Sequence, residues 1–229
     1  MMLHIPAVLS VEQVNQFRQR LDGAQWADGR STAGHQSGKV KQNGQLDERD
    51  PLAVELGAIV RAAALQHPTF FSSALPRHVY PPLFNRYAVG QQFGFHVDNA
   101  VRYDRTHEPA LAIRTDLAAT LFLSAPDEYA GGELVIEDTF GTHAAKLPAG
   151  DLLLYPGSSL HKVQPVTHGA RIASFFWVQS LIRSDAQRRI LFDLDLAIQT
   201  LTQNAGSDPG ALLALTGVYH NLLREWSAP

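Results

Sequence analysis

The chain carries an imidazole and a carboxylate two positions apart, at His96 and Asp98 in the stretch GFHVDN (94–99). In a β-strand, residues i and i+2 point to the same face, so both side chains can bind one cation if the strand continues to Asp98. A non-haem Fe(II) oxygenase site needs two histidines and one carboxylate, with other coordination positions left open. The iron hypothesis therefore requires a second histidine on a later strand. The alternative is a structural histidine that is hydrogen-bonded to a nearby acid.

His161 is the best candidate for that second histidine. It follows the run LLLYPGSS at the start of a strand-like segment, and a β-turn with an adjacent strand can bring it beside His96. The other histidines lie in weaker contexts: His143 in a strand-like segment, His78 at the head of a strand, His168 in a turn, His107 in a polar loop, and His4, His35, His67 and His220 in loops or near helix ends.

Arg171 adds a second kind of chemistry. It lies ten residues beyond His161 and on the next predicted strand. A buried guanidinium is costly unless an anion meets it. Its planar fork suits a carboxylate in a two-pronged ion pair. Taken alone, Arg171 is better explained as a surface or salt-bridging residue. The ordered set of His96, Asp98, His161 and Arg171 on a β core is far more specific than its parts.

The elements that must position these residues are short strands. From about residue 75 to 182, runs rich in β-forming residues alternate with turn signals, among them TDLAATLFLS, GELVIED, DLLLYP and ARIASFFWVQS. Short strands with turns about every ten residues indicate a sandwich or barrel. The long intervening helices that a doubly wound sheet requires are missing from this region of the sequence.

Helices are predicted on both sides of the strands. Polar caps precede amphipathic runs at Ser10, Asp50, Ser184 and Asp208. The polar, glycine-rich segment 26–50 has little periodicity and reads as a long surface loop. We therefore expect an α+β fold with N-terminal helices and a long loop over 1–74, a β core over 75–182 and a C-terminal helical extension over 183–229.

Composition narrows the function. The 229 residues have a formal net charge of −3, which favours neither nucleic acid nor an anionic membrane as a partner. There is no cysteine, so any metal must be bound by His, Asp, Glu or water. The N-terminal stretch lacks the pattern of a secretory signal, and no run of about 18 apolar residues could span a membrane. A cytoplasmic protein is the expectation.

Several blocks together resemble a known family. The stretches NRYAVGQQFGFHVDN, RTDLAATLFLSAPDEYAGGELVI, KLPAGDLLLYPGSSLHKVQPVTHGARIASFFWVQS and RRILFDLDLAI, with the segment DGRSTAGHQSGKVKQNGQL, cover nearly the whole chain. They resemble the PKHD-type (prolyl/lysyl hydroxylase-domain) bacterial hydroxylases of the Fe(II)- and 2-oxoglutarate-dependent dioxygenases. The resemblance implies a double-stranded β-helix, or jelly roll, as the core. It also makes segment 26–50 an active-site lid or wall.

The resemblance also assigns roles. His96, Asp98 and His161 would bind Fe(II), Arg171 would bind the distal carboxylate of 2-oxoglutarate, and Tyr87 would lie near the same carboxylate. Phe93 stands where many prolyl hydroxylases have tyrosine, so one hydroxyl contact is lost. Lys162 and Trp177 would shape the pocket or pack. The implied reaction hydroxylates an unactivated C–H bond with O2 and converts 2-oxoglutarate to succinate and CO2, and L-ascorbate keeps the iron reduced.

Some alternatives stay open on sequence alone. A non-catalytic, cupin-like module that binds or senses iron would keep the three metal ligands without needing Arg171. A zinc hydrolase would need neither O2 nor 2-oxoglutarate, and a purely structural protein would need no metal. The primary substrate can be peptidyl or a small molecule, and the family's association with bacterial iron uptake does not name it. The C-terminal helices can cover the core or form the interface of a homo-oligomer.

Overall fold

The computed structural model describes residues 1–32, 37–139, 141–204, 206 and 208–228, and for residues 31, 32 and 37 the backbone alone. His35, one of the weaker ligand candidates, lies outside the described residues. No helix in these ranges is both long and apolar enough to cross a membrane.

Helices flank the strands on both sides. In the described residues they are α1 (Val11–Asp22), α2 (Pro51–Gln66), α3 (Pro68–Ala74), α4 (Asp185–Gln203) and α5 (Pro209–Trp226), with short 3-10 turns at Gly29–Thr32 and Ser37–Lys39. The predicted caps are confirmed: each cap side chain accepts a hydrogen bond from a backbone N–H in the first turn of its helix. Pro68 follows the end of α2 and begins α3. The break falls at His67, whose backbone is extended, because a residue before proline avoids the helical conformation.

The strands are short and numerous. They are β1 (Leu3–Ile5), β2 (Ala27–Asp28), β3 (Lys41–Gln42), β4 (Gly44–Gln45), β5 (Pro76–Val79), β6 (Leu83–Tyr87), β7 (Gln92–His96), β8 (Val101–Asp104), β9 (Leu111–Arg114), β10 (Leu117–Phe122), β11 (Tyr129–Gly131), β12 (Leu134–Asp138), β13 (Gly141–Ala145), β14 (Leu152–Pro156), β15 (Leu160–Val163), β16 (Val166–Gly169) and β17 (Arg171–Ser180).

Two antiparallel sheets face each other. The larger has the order β1-β14-β10-β17-β6-β4-β2, with β5 beside β17, and the smaller has the order β13-β12-β15-β7-β3. Strand β17 shows why the layers form, because its side chains alternate between two apolar clusters. Ile172 and Phe176 join the cluster that packs under α1 to α3, whereas Trp177 joins the cluster between the sheets. The predicted α+β jelly roll with flanking helices is confirmed.

Segment 26–50 departs from the expected loop. Its short strands extend both sheets: β4 pairs with β6 of the larger sheet, and β3 pairs with β7 of the smaller one. Residues 33–36 of this segment lie outside the described part of the chain. Through these pairings the segment joins an edge of each sheet, and Lys41 in β3 lines the space between the sheets.

Two further elements lie outside the two main sheets. The stretch around His107, expected as a polar loop, is a hairpin in which β8 pairs with β9. At the other end of the chain, α5 packs on α4 and on the end of the core: Tyr219, Leu222, Leu223 and Trp226 contact a small cluster formed by Leu75, Ile182 and Leu191. The C-terminal helices therefore cover part of the core.

Candidate active site

The smaller sheet brings the two candidate histidines together. His96 is the last residue of β7, and His161 is the second residue of β15. These strands are neighbours, and the two histidines are directly opposite each other in the ladder. Their ring centroids are 4.1 Å apart.

Asp98 completes the group. The strand ends at His96, so the condition that it continue to Asp98 is not met. The carboxylate nevertheless lies on the same side, with Asp98 Oδ2 4.0 Å from His161 Nε2. One ligand atom from each of His96, Asp98 and His161 lies within 4.8 Å of the others. Such a spacing allows three ligands to meet one metal ion on one face.

Backbone carbonyls orient both imidazoles. His96 Nδ1 lies 2.8 Å from the carbonyl oxygen of Gly94, and His161 Nδ1 lies 2.9 Å from that of Ser159. A carbonyl oxygen only accepts hydrogen bonds, so each Nδ1 carries the proton. Each Nε2 then has its lone pair free to bind a metal, an arrangement common to histidine ligands in proteins.

The surroundings of His96 favour its neutral form. Burial, reinforced by the nearby His161, lowers the pKa of His96 to about 3. Phe93 stacks on the imidazole with ring centroids 3.5 Å apart and an interplanar angle of 14°. A metal-binding histidine must be deprotonated, so this environment prepares the ring for ligation.

A cavity between the sheets joins the three residues to Arg171. Arg171 begins β17 and is paired with Tyr87 of β6. It is only 1% exposed, and its Nε and Nη1 have no hydrogen-bond partner among the described residues. The guanidinium carbon lies 5.5 Å from the Tyr87 ring centroid and 5.1 Å from that of Phe122. The cavity thus holds a buried cation whose donors are available to an anion.

Tyr87 lines the same cavity. Its side chain is buried, and burial raises the pKa of Tyr87 to about 12, although the positive charge of Arg171 opposes this shift. The phenol is therefore protonated at neutral pH and can donate a hydrogen bond to an anion beside Arg171.

Two cations of the cavity wall were not singled out by sequence reasoning. Lys41 comes from β3 and Arg102 from β8, and both line the cavity. The alternation in VRYD and LAIR could have indicated the hairpin that carries Arg102. Lys41 had no such signal, because β3 has two residues and forms only by pairing with β7.

The other residues considered in the sequence lie either in the cavity lining or outside it. Trp177 lines the cavity, whereas Lys162 packs outside it, with its Nζ 4.3 Å from the Phe95 ring centroid. His143 lies on β13, and its Nε2 is 3.2 Å from Oδ2 of Asp138 at the end of β12. The other described histidines likewise lie outside the metal group.

Two histidines and a carboxylate on one face of a jelly roll define the class of Fe(II)- and 2-oxoglutarate-dependent oxygenases. Residues 82–179 match the 2OG-Fe(II) oxygenase superfamily, and residues 185–228 match the PKHD-type hydroxylase C-terminal domain. The chain belongs to the PKHD-type hydroxylase family. It is 62% identical to a PKHD-type hydroxylase of Xanthomonas campestris pv. campestris over 99% of both chains. A PKHD-type hydroxylase of Stenotrophomonas maltophilia is 58% identical over the same share of each chain.

Solved structures agree on the fold. The viral collagen prolyl hydroxylase from Paramecium bursaria Chlorella virus-1, solved with 2-oxoglutarate, matches with a TM-score of 0.54 and 14% identity, covering 78% of this chain and 96% of that one. The protein is therefore an enzyme of the 2-oxoglutarate-dependent hydroxylases, with Fe(II), 2-oxoglutarate and O2 as its cofactor and cosubstrates and ascorbate as the usual reductant of its family.

Proposed function

We propose that His96, Asp98 and His161 hold the Fe(II), and that Arg171 and Tyr87 hold the distal carboxylate of 2-oxoglutarate. One observation carries this assignment. The cavity that contains the three ligand residues also contains a fully buried guanidinium, two of whose nitrogen atoms have no hydrogen-bond partner among the described residues. An iron-binding module without a cosubstrate would not need that cation.

The energetics of burial support the role of Arg171. An unpaired buried charge is strongly destabilising, and a two-pronged carboxylate is the partner that best fits a guanidinium. The rings of Tyr87 and Phe122 flank the guanidinium and limit its movement. Tyr87 adds a neutral donor from the paired strand. Together they would fix one end of 2-oxoglutarate, while the triad lies elsewhere in the same cavity.

The residues of the chain have defined tasks in the reaction. Bound Fe(II), with 2-oxoglutarate and O2, supplies the oxidising chemistry that hydroxylates an unactivated C–H bond. His96 and His161 would bind the metal through Nε2, because their Nδ1–H groups donate hydrogen bonds to backbone carbonyls. Three protein ligands leave coordination positions open. Phe93 and Trp177 supply apolar walls that exclude water from the reacting centre.

The broader setting is also proposed. The target is a C–H bond of a peptide or small molecule, with a link to iron uptake as the physiological setting. The reaction fits the cytoplasm, where 2-oxoglutarate is a central metabolite. A homo-oligomer built through the C-terminal helices stays a prediction. Helix α5 offers exposed apolar side chains, Leu213 and Val218, for such an interface.

The first experiment is anaerobic. Fe(II) and then 2-oxoglutarate are added to metal-free protein, and the visible charge-transfer band of the iron-chelated keto acid is recorded. We expect the band to form, and succinate to appear once O2 is admitted. Metal binding without the band would favour the sensing module or the hydrolase. A protein that binds no metal would refute the assignment of all three ligands.

A further inference from the structure

The mouth of the iron cavity carries charge that the proposed reaction does not use. Lys41 and Arg102 line the cavity beside the aromatic side chains of Phe175 and Trp177. Arg102 also lines a second, larger groove that runs between α2, segment 45–49 and the β8–β9 hairpin. Arg102 therefore lies where the iron cavity meets a groove that can admit a primary substrate, and Lys41 lies in the cavity wall.

Arg102 is held in place by stacking. Its guanidinium carbon lies 4.2 Å from the Trp177 ring centroid and 4.9 Å from that of Tyr80. The nearest carboxylate contact is long, with Arg102 Nη2 3.6 Å from Glu48 Oε1. Arg102 Nε and the indole Nε1 of Trp177 are buried and have no hydrogen-bond partner in the described part of the chain. Two N–H donors of the stacked Arg102–Trp177 pair therefore have no acceptor among the described residues.

Lys41 places a second cation in the same wall. Its side chain is 4% exposed, and its Nζ donates to Gln45 Oε1 at 2.8 Å. The ammonium lies 5.5 Å from the Phe93 ring centroid and 5.9 Å from that of Phe175. Burial, followed by the positive charge of Arg102, lowers the pKa of Lys41 to about 8. The two cations repel each other, so an anion bound between them would relieve that repulsion.

The formal charges in a cavity loaded with Fe(II) and 2-oxoglutarate also favour an anionic substrate. Fe(II), the Asp98 carboxylate, doubly charged 2-oxoglutarate and Arg171 have formal charges that cancel. The cavity wall adds Lys41 and Arg102, on which the carboxylates of Asp28 and Glu48 also act. The charged side chains that this wall contributes to the cavity are therefore both cations.

We propose that Lys41, Arg102 and the indole N–H of Trp177 form a subsite for an anionic oxygen group, a carboxylate or phosphate, of the primary substrate. The apolar body of that substrate lies against Phe175 and Trp177, and its C–H bond faces the iron. This inference rests on the proposed function, because it assumes that iron and 2-oxoglutarate occupy the inner part of the cavity. It narrows the substrate class to acids, either free or as side chains of a peptide.

The test uses the full chain loaded anaerobically with Fe(II) and saturating 2-oxoglutarate. Hippurate is compared with its neutral amide, hippuramide, by calorimetric titration. Phenyl phosphate tests phosphate as the anion, and acetyl-Gly-Glu-Gly-amide against its Gln analogue tests an acidic peptide side chain. We expect at least one anion to bind about tenfold or more tightly than its neutral counterpart, since a charge-assisted hydrogen bond contributes about that much.

Variants then assign the preference to the subsite. Lys41→Met and Arg102→Gln are expected to lower the preference for the anion about tenfold each, while Lys41→Arg retains it. Arg189→Gln is the control, because this exposed arginine lies on α4 and lines neither the iron cavity nor the second groove. Equal binding of anionic and neutral probes, no binding of any anion at millimolar concentration, or a preference that survives loss of both cations would overturn the inference.

The charge-transfer band separates this inference from the proposed function. The band is recorded before any probe is added. A wild-type protein that forms the band but does not prefer anions refutes the anionic subsite alone. A wild-type protein that forms no band refutes the proposed function first.

Discussion

His96 and His161 face each other across the antiparallel ladder of β7 and β15, with their ring centroids 4.1 Å apart. Neighbouring strands in a sheet are separated by about 4.8 Å, so backbone pairing itself sets the spacing of the two imidazoles. The hydrogen bonds to Gly94 and Ser159 then set the ring orientation. The metal site is therefore a property of the sheet more than of the loops around it.

Removal of one histidine should abolish tight metal binding. We expect His161→Ala to weaken Fe(II) binding by at least about 100-fold, because a lost direct ligand should cost no less than the loss of an outer-shell partner. Anaerobic equilibrium dialysis measures the affinity. His143→Ala is the control, since this half-exposed histidine lies two strands away on β13. Unchanged affinity in His161→Ala would mean that the histidine pair is structural.

Arg171 should control 2-oxoglutarate and not iron. We expect Arg171→Gln to raise the 2-oxoglutarate concentration needed for half-maximal turnover by roughly ten- to a hundredfold, the effect of losing one charge-assisted pair. Fe(II) affinity should stay close to that of the wild type. Arg86→Gln, one position before Tyr87 and outside the cavity lining, provides the control. If both variants behave alike, the cosubstrate is bound by another residue.

The stacked ring of Phe93 should matter for iron affinity. Phe93→Leu removes the aromatic face that lies 3.5 Å from His96, so the imidazole gains freedom that metal binding must then restrict. We expect about a tenfold loss of Fe(II) affinity, the lower end of the range for residues that orient metal ligands. Phe95→Leu is the matched control, because Phe95 is 42% exposed, packs against Lys162 and does not line the cavity. Equal losses would show that the strand and not the stacking is responsible.

The stability of the metal-free protein should fall in mild acid because of His96. In the unfolded chain this histidine takes up a proton near its usual pKa of about 6.5, whereas in the folded chain it does so only near about 3. Between these values the unfolded state binds more protons, so the free energy of unfolding decreases by up to about 1.4 kcal/mol per pH unit as pH falls.

Urea unfolding of metal-free wild type and His96→Gln between about pH 7 and pH 5 measures this contribution. We expect a shallower decrease for the variant, which has no imidazole to protonate at this position. Parallel curves for the two proteins would contradict the low pKa of His96.

Two glycines should respond oppositely to alanine. A Cβ on Gly157, in the turn that precedes His161, would lie 2.2 Å from the carbonyl oxygen of Thr115, so Gly157→Ala should cost about 1–3 kcal/mol of stability. Gly217 lies inside α5 with nothing within 4 Å of such a Cβ, so Gly217→Ala should add about 0.5–1 kcal/mol. Thermal unfolding of both variants checks these signs. A stabilised Gly157→Ala would mean that the turn can relax.

Local signals in the sequence were sufficient for the helices and for much of the site. A cap such as Ser10 acts within one turn of its helix, so its pattern is complete in a few residues. The spacing of His96 and Asp98 and the β-rich contexts of His161 and Arg171 were readable for the same reason. The order of these residues along a β core was enough to suggest iron and a carboxylate.

Features that depend on distant pairing could not be read in this way. Strands β3 and β4 have two residues each and exist because β7 and β6 offer free edges. Lys41 reaches the cavity only through that pairing, and no local pattern marks it. For Asp98 the local pattern found the right residue although β7 ends at His96. The carboxylate still lies with the two histidines.

The order of the strands along the chain has a consequence for biosynthesis. A ribosome makes β7 well before β15, because β7 lies nearer the N-terminus. A nascent chain that ends before β15 has only one imidazole and one carboxylate of the proposed metal site, and it lacks Arg171, which begins the last strand of the jelly roll. The complete set of proposed ligands therefore exists only after nearly the whole jelly roll has been synthesised.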